Sequence, residues 1–280
     1  MKPMKAHKYK PGKITFPCYV QPKLNGIRAL WVPGKGLNTY EQKSWDPNVL
    51  PYIHEALEKI ERPLDGELYC HGLSLQQINA RVAVNRVSPH PDVAKVSFNV
   101  FDAPSPESFQ ERWMYLQGLS DSLDFCITVV QTIFATSEIQ ADMAYRLFKT
   151  QRYEGMIYRQ LEAPYGYLRG QHPDESLWCG NKENRWNYIL KRKDWLDMIC
   201  TIKELKEGKG QFEGNLGSFI METPDGKEVD AGSGLTVQQR TAFWECPELV
   251  LGTRVRINYE MLSDTGVPLK PTIEEVDIIE

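Results

Sequence analysis

A lysine, a glycine and an arginine follow one another at short intervals in the segment from Gln21 to Arg28. Lysine carries the strong amine that a protein can deprotonate and use as a nucleophile, which gives Lys23 a chemistry that Arg28 lacks. Gly26 allows a tight turn or the close approach of a ligand to the backbone. Taken alone, the pattern is also typical of a solvated turn between two strands, so its interpretation depends on the motifs that follow.

Four further motifs combine charged or aromatic residues with glycine or apolar neighbours, and they occur in this order: Asp65-Gly66-Glu67, Phe101-Asp102, Glu154-Gly155 with Arg159, and Lys191 with Lys193. Together with the Lys23 segment, they resemble the motifs of the covalent nucleotidyltransferases. That superfamily contains ATP-dependent DNA ligases, RNA ligases and mRNA capping enzymes. The likeness is greatest to the minimal ATP-dependent DNA ligases of viruses and phages, and it covers nearly the whole chain.

The resemblance implies an enzyme that seals nicks between a 3′-hydroxyl and a 5′-phosphate in duplex DNA, with ATP and Mg²⁺ as cofactors. Lys23 would attack ATP to form a lysine–AMP phosphoramidate. AMP would then pass to the 5′-phosphate, and the 3′-hydroxyl would displace it. Such an enzyme serves DNA replication, repair and recombination. The alternatives are an RNA ligase, a GTP-using capping-type enzyme, and a relative that binds nucleic acid without catalysis.

Lys191 and Lys193 are the predicted partners of Lys23 in catalysis. A free lysine has a pKa of ~10.4, so the attacking amine must lose its proton, and neighbouring cations favour the neutral form. Because side chains alternate along a strand, Lys191 and Lys193 share one face and could supply that positive field. They could also bind phosphate oxygens as negative charge builds during transfer. In isolation, the same alternation is typical of a solvated strand face.

Glu67 and Glu154 are the carboxylates that we predict to bind metal. Each lies beside a glycine in an apolar strand, where an acidic group is costly unless it is paired or binds a cation. Carboxylate oxygens suit Mg²⁺, which also bridges nucleotide phosphates. The resemblance implies that Glu67 contacts the ribose, that Glu154 works near the metal, and that Asp65 supports the first of these motifs. Salt bridges at a strand edge are the alternative interpretation for both glutamates.

The remaining predicted nucleotide-binding residues are aromatic or polar. The resemblance implies that Phe101 stacks on the adenine ring, a contact of ~1–3 kcal/mol per base, and that Gln21 belongs to the same cofactor site. Arg28 would bind the phosphate of AMP or the phosphate at the nick. Arg169 is a further candidate for phosphate binding, because a guanidinium can hold phosphate through two hydrogen bonds. Phe98 is expected to belong to the core.

Composition indicates a globular protein. The 280 residues are 41% hydrophobic, enough for one large or two modest domains, and no apolar run is long enough to cross a membrane. The basic N-terminus lacks a following apolar region, so we expect no signal peptide. Six scattered cysteines indicate reduced thiols and a cytoplasmic protein, which also suits a phage or viral protein acting in a host cell. We expect a monomer whose partner is nicked duplex DNA.

The net charge of −4 conceals a difference between the two parts of the chain. Residues 1–195 carry 25 basic and 21 acidic side chains, whereas residues 196–280 carry 8 basic and 16 acidic ones. A footprint for nucleic-acid phosphates is therefore expected on the first part. The acidic end, Glu274–Glu280, is expected to be a solvated last strand.

The hydrophobic periodicities predict an α+β fold with two domains. Residues 1–193 are predicted to form a nucleotidyltransferase (adenylation) domain of antiparallel sheets with flanking helices, since helices and strands do not alternate as a doubly wound sheet requires. Within it we predict one helix from Asp46-Pro47 to Ile60 and one apolar strand, Ile127–Phe134. Residues 194–280 are predicted to form an OB-fold of five strands, with the helix Thr236–Trp244 between the third and the fourth.

Several positions depart from the ligase pattern. Asn25 stands where an aspartate is usual, and the arginine expected after the first hairpin is missing from Leu37–Glu41. The arginines of the usual C-terminal motif are missing and only Lys270 could replace part of it, so the first step could be slow unless another lysine substitutes: Lys203, Lys206 or Lys209. The segment 206–215 is short where the family can carry a DNA-clasping insertion, so encirclement of DNA by that device is not implied.

Overall fold

The computed structural model describes residues 2–179 and 184–277, and the chain divides into two compact units, residues 1–193 and 194–280. The described helices, α1 to α5, are Pro51–Glu58, Leu75–Val82, Phe109–Ser120, Glu138–Thr150 and Val237–Glu245. The described strands of the first unit, β1 to β12, are Lys5–Lys8, Cys18–Lys23, Ile27–Val32, Gly36–Thr39, Leu64–Tyr69, Ser97–Asp102, Ile127–Val129, Ile133–Ala135, Gly155–Gln160, Tyr167–Leu168, Trp178–Cys179 and Arg185–Lys193. Those of the second unit, β13 to β19, are Leu196–Glu207, Leu216–Glu222, Glu228–Ala231, Arg254–Tyr259, Met261–Leu262, Pro268–Leu269 and Thr272–Val276.

Two five-stranded sheets dominate the described part of the first unit. Their strand orders are β1-β12-β9-β2-β8 and β4-β3-β5-β6-β7, and β10 and β11 form a separate two-stranded ribbon. Most neighbouring strands are antiparallel, whereas the pairs β1–β12, β6–β7 and β10–β11 are parallel. Helices and strands do not alternate in regular crossover units, so the predicted α+β class is confirmed.

Three of the four helices described in the first unit, α2, α3 and α4, begin at a capping serine. Ser74 caps α2 through a reciprocal pair of hydrogen bonds with Gln77, and Ser137 accepts a backbone N–H at the start of α4. Such a cap contributes ~1 kcal/mol to helix stability. The buried residues of α4 follow the spacing of an amphipathic helix that packs on the β2–β9 sheet: Ala141, Ala144, Tyr145 and Phe148. Among the described helices, none is long and apolar enough to span a membrane.

The second unit contains a five-stranded antiparallel sheet with the order β15-β14-β13-β16-β19. Its two edges approach each other, because the Ile273 N–H donates to the backbone oxygen of Ser233 at 2.8 Å. α5 lies between β15 and β16 in the chain, and its Arg240 donates to the backbone oxygens of Leu216 and Gly217 at 2.8 and 2.6 Å. The predicted order of three strands, one helix and two strands is therefore confirmed for this sheet, whereas the two-residue strands β17 and β18, which pair with each other between β16 and β19, were not predicted. The last strand ends at Val276, and residues 278–280 of the predicted strand lie outside the described residues.

The prediction of one strand over Ile127–Phe134 is wrong. The chain forms β7 at the edge of one sheet and β8 at the edge of the other. Polar residues make the break: the Thr132 hydroxyl donates to the backbone oxygen of Val130 at 3.0 Å, while the Val130 N–H still bonds to Val100 of the first sheet. This segment therefore connects the two sheets.

The prediction of one helix from Pro47 to Ile60 is also wrong in detail. A short 3₁₀ turn covers Pro47–Val49, and α1 begins separately at Pro51. Leu50 between them has φ −132° and ψ 55°, which is not helical. A residue that precedes proline is sterically disfavoured from the helical region, so Pro51 must start a new helix.

Candidate active site

A cavity of about 280 Å³ lies in the first unit, and both five-stranded sheets contribute to its walls. Six of the predicted site residues line it: Gln21, Lys23, Arg28, Glu67, Phe101 and Lys191. They come from β2, β3, β5, β6 and β12, so motifs that are far apart in the sequence meet at one place. This convergence brings the residues together; their individual roles stay predictions.

Lys23 is the last residue of β2. Its Nζ donates to a carboxylate oxygen of Glu154 at 2.5 Å and to the backbone oxygen of Leu24 at 3.3 Å. The other carboxylate oxygen of Glu154 lies 3.5 Å from Nζ of Lys193. Glu154 therefore connects two of the three predicted catalytic lysines. Because its side chain is only 11% exposed, pairing with these cations stabilises its negative charge.

Two glycines of the motifs allow these strands to approach. Gly155 pairs with Lys23 in the sheet, and a Cβ added to it would lie 2.1 Å from the backbone oxygen of Arg192. A Cβ on Gly26 would lie 2.5 Å from the backbone oxygen of Leu68. Both distances are too short for any side chain. Close packing of backbone against backbone therefore explains why each motif contains glycine at this position.

Glu67 is held by the turn that follows Lys23. The Gly26 N–H donates to a carboxylate oxygen of Glu67 at 3.0 Å. Burial raises the pKa of the Glu67 carboxyl, while the positive charges of Lys23 and Arg28 oppose that shift and the Glu154 carboxylate adds to it. A carboxyl whose pKa is perturbed by burial and by specific charged neighbours, in a cavity, is a candidate functional group.

Glu67 and Glu154 are the carboxylates available near Lys23 for a cation. Among the described residues, no group of three or more histidine, cysteine, aspartate or glutamate side chains could hold a metal ion. Mg²⁺ commonly takes one or two carboxylates, keeps several waters and completes its shell with substrate phosphates. The donor set therefore fits a magnesium ion that is bound together with a nucleotide.

Arg28 is oriented by a buried carboxylate. Its Nε and Nη2 atoms each donate to one oxygen of Asp65 at 2.6 Å, in a bidentate arrangement. The carbon at the centre of the guanidinium lies 4.6 Å from the centroid of the Phe101 ring. Asp65 is 1% exposed, whereas the Arg28 side chain is 26% exposed and lines the cavity. The contacts of Asp65 agree with a supporting position behind Arg28.

Gln21 contributes to the wall of the cavity through contacts inside the protein. Its amide nitrogen donates to the backbone oxygen of Phe101 at 3.1 Å and to the Thr132 hydroxyl at 3.0 Å. Its amide oxygen accepts from Nε of Arg159 at 3.0 Å. Both the nitrogen and the oxygen of the amide are therefore engaged within the protein, and Gln21 braces the backbone of Phe101. Its predicted contact with the cofactor stays a prediction.

A buried cluster of charged side chains lies next to Gln21. It contains two motif residues, Asp102 and Arg159, whose place in the site the sequence did not predict. Asp102 accepts hydrogen bonds from Nε of Arg112 at 2.6 Å and from Nη1 of Arg159 at 2.8 Å. Burial alone would raise the pKa of the Asp102 carboxyl, but the two guanidinium groups hold it below its usual range. Arg159 also lines the cavity, so the arginine that ends the Glu154 motif is part of its wall.

No sequence pattern indicates that the N-terminal strand belongs to the site. Met4, Lys5 and Ala6 line the cavity, and β1 pairs in parallel with β12, with Lys5 opposite Arg185. A strand of four residues has too little periodicity to be recognised, and its partner is remote in the sequence.

The charge of the cavity wall is predominantly positive. Among the described residues, six basic side chains and the acidic Glu67 line it; the basic ones are Lys5, Lys23, Arg28, Arg159, Arg185 and Lys191. Such a cavity favours an anionic ligand. Arg169 is not among the lining residues: it is exposed after β10, with its guanidinium 5.9 Å from the Trp178 ring. Its predicted role in phosphate binding stays a prediction.

The first unit thus places a lysine-containing cavity between two sheets, and the second forms a five-stranded antiparallel sheet with one inserted helix. Residues 207–276 match the family model for the DNA ligase OB-like domain. A DNA ligase of Haemophilus influenzae is 24% identical over 248 residues, which cover 88% of this chain and 81% of that protein.

Two solved structures share the fold over almost the full length of both chains. One, described as a structure–function analysis of Lig E DNA ligases, is 23% identical, covers 99% of each chain and has a TM-score of 0.80. The other, a Chlorella virus DNA ligase–adenylate, is 20% identical, with coverages of 100% and 99% and a TM-score of 0.54. The predicted fold, a nucleotidyltransferase domain followed by an OB-fold, is confirmed. The resemblance to minimal ATP-dependent DNA ligases is confirmed as well.

Proposed function

We propose that this protein is an ATP-dependent DNA ligase that seals 3′-hydroxyl/5′-phosphate nicks in duplex DNA through a covalent Lys23–AMP intermediate. The observation that carries the proposal is the position of Lys23. Its amine lies in a cavity with a predominantly basic lining, beside Glu67 and Glu154, in a chain whose relatives are DNA ligases. The lysine is thus the group positioned to form a covalent bond with a nucleotide.

In the first step the neutral amine of Lys23 attacks the α-phosphorus of ATP. A bond forms between nitrogen and phosphorus, the bond from that phosphorus to the pyrophosphate oxygen breaks, and the nitrogen releases one proton to solvent, so that the phosphoramidate keeps one N–H. Phosphoryl-type transfer depends mainly on positioning and on stabilisation of the phosphate oxygens. Lys191 and Arg28, which line the cavity, and Lys193, which shares Glu154 with Lys23, supply that positive charge.

Apolar side chains of the same cavity would contact the base of the nucleotide. Phe101, which is 8% exposed, and Ile157 both line the wall, and an aromatic ring gives a base a stacking surface. Glu67 lines the same cavity, and we assign it the ribose contact. Glu154 and Glu67 would hold Mg²⁺, which would neutralise phosphate charge when bound.

In the second and third steps AMP passes from Lys23 to the 5′-phosphate at the nick, and the 3′-hydroxyl then displaces AMP to form the phosphodiester. The partner is therefore nicked duplex DNA. We propose that the protein acts as a monomer in the cytoplasm, where reduced thiols are stable. The five cysteines whose side chains are described are free, in agreement with that environment.

Intact-protein mass spectrometry tests the first step. After incubation with Mg²⁺ and ATP, the wild-type protein is expected to gain one AMP, and Lys23→Ala to gain none. Lys59→Ala is the matched control, because Lys59 is an exposed lysine paired with Asp124 on the surface. Sealing of a nicked duplex is measured on the same samples.

Other outcomes would replace the proposal. A GMP adduct formed from GTP would indicate a capping-type enzyme, and sealing of nicked RNA in preference to DNA would indicate an RNA ligase. If the protein carries no AMP as purified and forms no adduct with ATP, GTP or NAD⁺, while it still binds nicked DNA, it is a binding protein without catalysis.

A further inference from the structure

Four residues from four separate parts of the chain, Met4, Arg28, Asp65 and Tyr165, form a closed ring of hydrogen bonds beside the cavity. The Tyr165 hydroxyl donates to Asp65 at 2.6 Å and accepts from the Met4 N–H at 3.3 Å. Asp65 accepts the two bonds from Arg28, and Nη2 of Arg28 donates to the backbone oxygen of Met4 at 3.1 Å. Each member therefore contacts two others.

Three members of this ring are almost completely buried. Tyr165 is 0%, Asp65 1% and Met4 2% exposed, so bulk water does not compete for their hydrogen bonds. Burial and the neighbouring Asp65 carboxylate raise the pKa of Tyr165 well above its usual range, which keeps its hydroxyl a donor. If the hydroxyl were removed, the Asp65 carboxylate would lose one of its donors where no solvent can replace it.

Arg28 is the charged member of the hydrogen-bonded ring that lines the cavity, and Met4 lines it as well. The Arg28 side chain is 26% exposed, and its guanidinium lies over the Phe101 ring at 4.6 Å. The two oxygens of Asp65 define the plane of that guanidinium. The orientation of Asp65 depends in turn on the Tyr165 hydroxyl, which binds the same oxygen, Oδ2, as Nη2 of Arg28.

We propose that Tyr165 is a positioning residue: its hydroxyl fixes Asp65, and through Asp65 it holds Arg28 in the orientation in which Arg28 binds a phosphate during ligation. This inference rests on the proposed function, since the phosphate belongs to the nucleotide or to the nick. Tyr165 acts entirely through Arg28. Of the two reactions, formation of Lys23–AMP and sealing of an adenylylated nick, substitution of Tyr165 therefore slows the one that depends on Arg28 and leaves the other unchanged.

Tyr167 provides a matched control. It is also buried, at 5% exposure, and its ring centroid lies 5.5 Å from that of Tyr165. The Tyr167 hydroxyl takes no part in the hydrogen bonds that join Met4, Arg28, Asp65 and Tyr165. Tyr167→Phe therefore removes a buried tyrosine hydroxyl from the same segment without changing the contacts of Asp65 or Arg28.

The experiment is a double-mutant cycle of Tyr165→Phe with Arg28→Gln, beside Tyr167→Phe. Two single-turnover rates are measured: formation of Lys23–AMP, and sealing of a nick whose 5′-phosphate is already adenylylated. We expect Tyr165→Phe to lower, by about 10- to 100-fold, the rate that Arg28→Gln lowers, as loss of alignment does. Added to Arg28→Gln, it should lower that rate by less than about 2-fold further, because residues that act together are not additive. Tyr167→Phe should leave both rates unchanged.

The proposal is overturned if Tyr165→Phe leaves both rates unchanged, or if its effect multiplies with that of Arg28→Gln. Melting temperatures of all variants separate loss of alignment from loss of folding. If Tyr165→Phe does not fold, Asp65→Asn, which keeps the shape of the side chain, must show the rate defect that is predicted for Tyr165→Phe for the proposal to stand. A wild-type protein that forms no Lys23–AMP would overturn the proposed function itself, whereas an active wild type with an unaffected Tyr165→Phe would overturn only the positioning role.

Discussion

The Lys23 amine and the Glu154 carboxylate form a hydrogen-bonded ion pair at 2.5 Å, although 131 residues separate them in the sequence. Their side chains are only 20% and 11% exposed. The proposed chemistry needs a neutral amine as nucleophile and a carboxylate that can bind a cation, and the paired form provides neither. Under the proposed function, binding of ATP with its cation must therefore separate the pair before transfer.

Glu154→Gln tests this relationship. The variant keeps the size of the side chain but removes its charge, so the cation loses a ligand. We expect Lys23–AMP formation to slow by roughly 10²-fold, as is typical when one electrostatic contact of an active site is removed. The time course of the AMP adduct by intact mass measures the rate. Glu162→Gln, at an exposed position, is the control, and an unchanged rate in Glu154→Gln would contradict the prediction.

Gly155→Ala tests whether the glycine of the Glu154 motif is needed for strand packing. The added Cβ would lie 2.1 Å from the backbone oxygen of Arg192, so the free energy of unfolding should fall by at least about 1–3 kcal/mol. Gly118→Ala is the matched control, and we expect it to change the free energy of unfolding in the opposite direction. Gly118 lies within α3 with no heavy atom within 4 Å of the added Cβ, so alanine should stabilise the protein by up to about 1 kcal/mol. Urea unfolding curves measure both; a stable Gly155→Ala protein would refute the packing explanation.

Phe101→Leu and Phe98→Leu separate a role in nucleotide binding from a role in the core. Phe101 lines the cavity, so its replacement should raise the KM for ATP roughly 10-fold through lost stacking. Phe98 is fully buried, as expected for a core residue, so its replacement should lower the free energy of unfolding by roughly 1–2 kcal/mol without changing that KM. Steady-state kinetics and urea unfolding on both variants distinguish the two. Equal KM values for the two variants would remove the support for adenine stacking on Phe101.

His54 should make stability sensitive to mildly acidic pH. It is 6% exposed and its Nε2 has no hydrogen-bond partner, and burial lowers the pKa of its imidazole despite the opposing charges of Glu58 and Asp46. The unfolded chain, with a histidine pKa of ~6.5, therefore binds the proton more readily than the folded one, so stability declines as the pH falls below that value. Urea unfolding at pH 7 and pH 5.5 should show a smaller loss for His54→Gln than for wild type. An equal loss would contradict the assignment to His54.

The sequence predicts best where a single residue type is required by chemistry or by packing. The motif lysines and glutamates are separated in the chain, but Lys23, Lys191 and Glu67 line the cavity, and Glu154 and Lys193 lie beside Lys23. The motif glycines let these strands pack closely. The helix caps at Ser74 and Ser137 are likewise local signals, and the structure contains both.

The features that the sequence does not predict depend on contacts between distant segments. The break between β7 and β8 arises because Thr132 bonds to Gln21 and Val130, which no local pattern reveals. The hydrogen bonds that engage the Gln21 amide inside the protein, and the exposed position of Arg169, also depend on the tertiary structure.

The parallel pairing of β1 with β12 has a consequence for synthesis of the chain. β1 leaves the ribosome long before its partner β12, which begins at Arg185, near the end of the first unit. Contacts of such large sequence separation form late in folding. A nascent or truncated chain that ends before Arg185 would contain Lys23 and Glu154 but lack Lys191 and Lys193. It would also lack the strand β12 with which β1 pairs, so Met4 to Ala6 could not form their part of the cavity wall. The nucleophile thus exists early, and its cavity is complete only when nearly all of the first unit has been made.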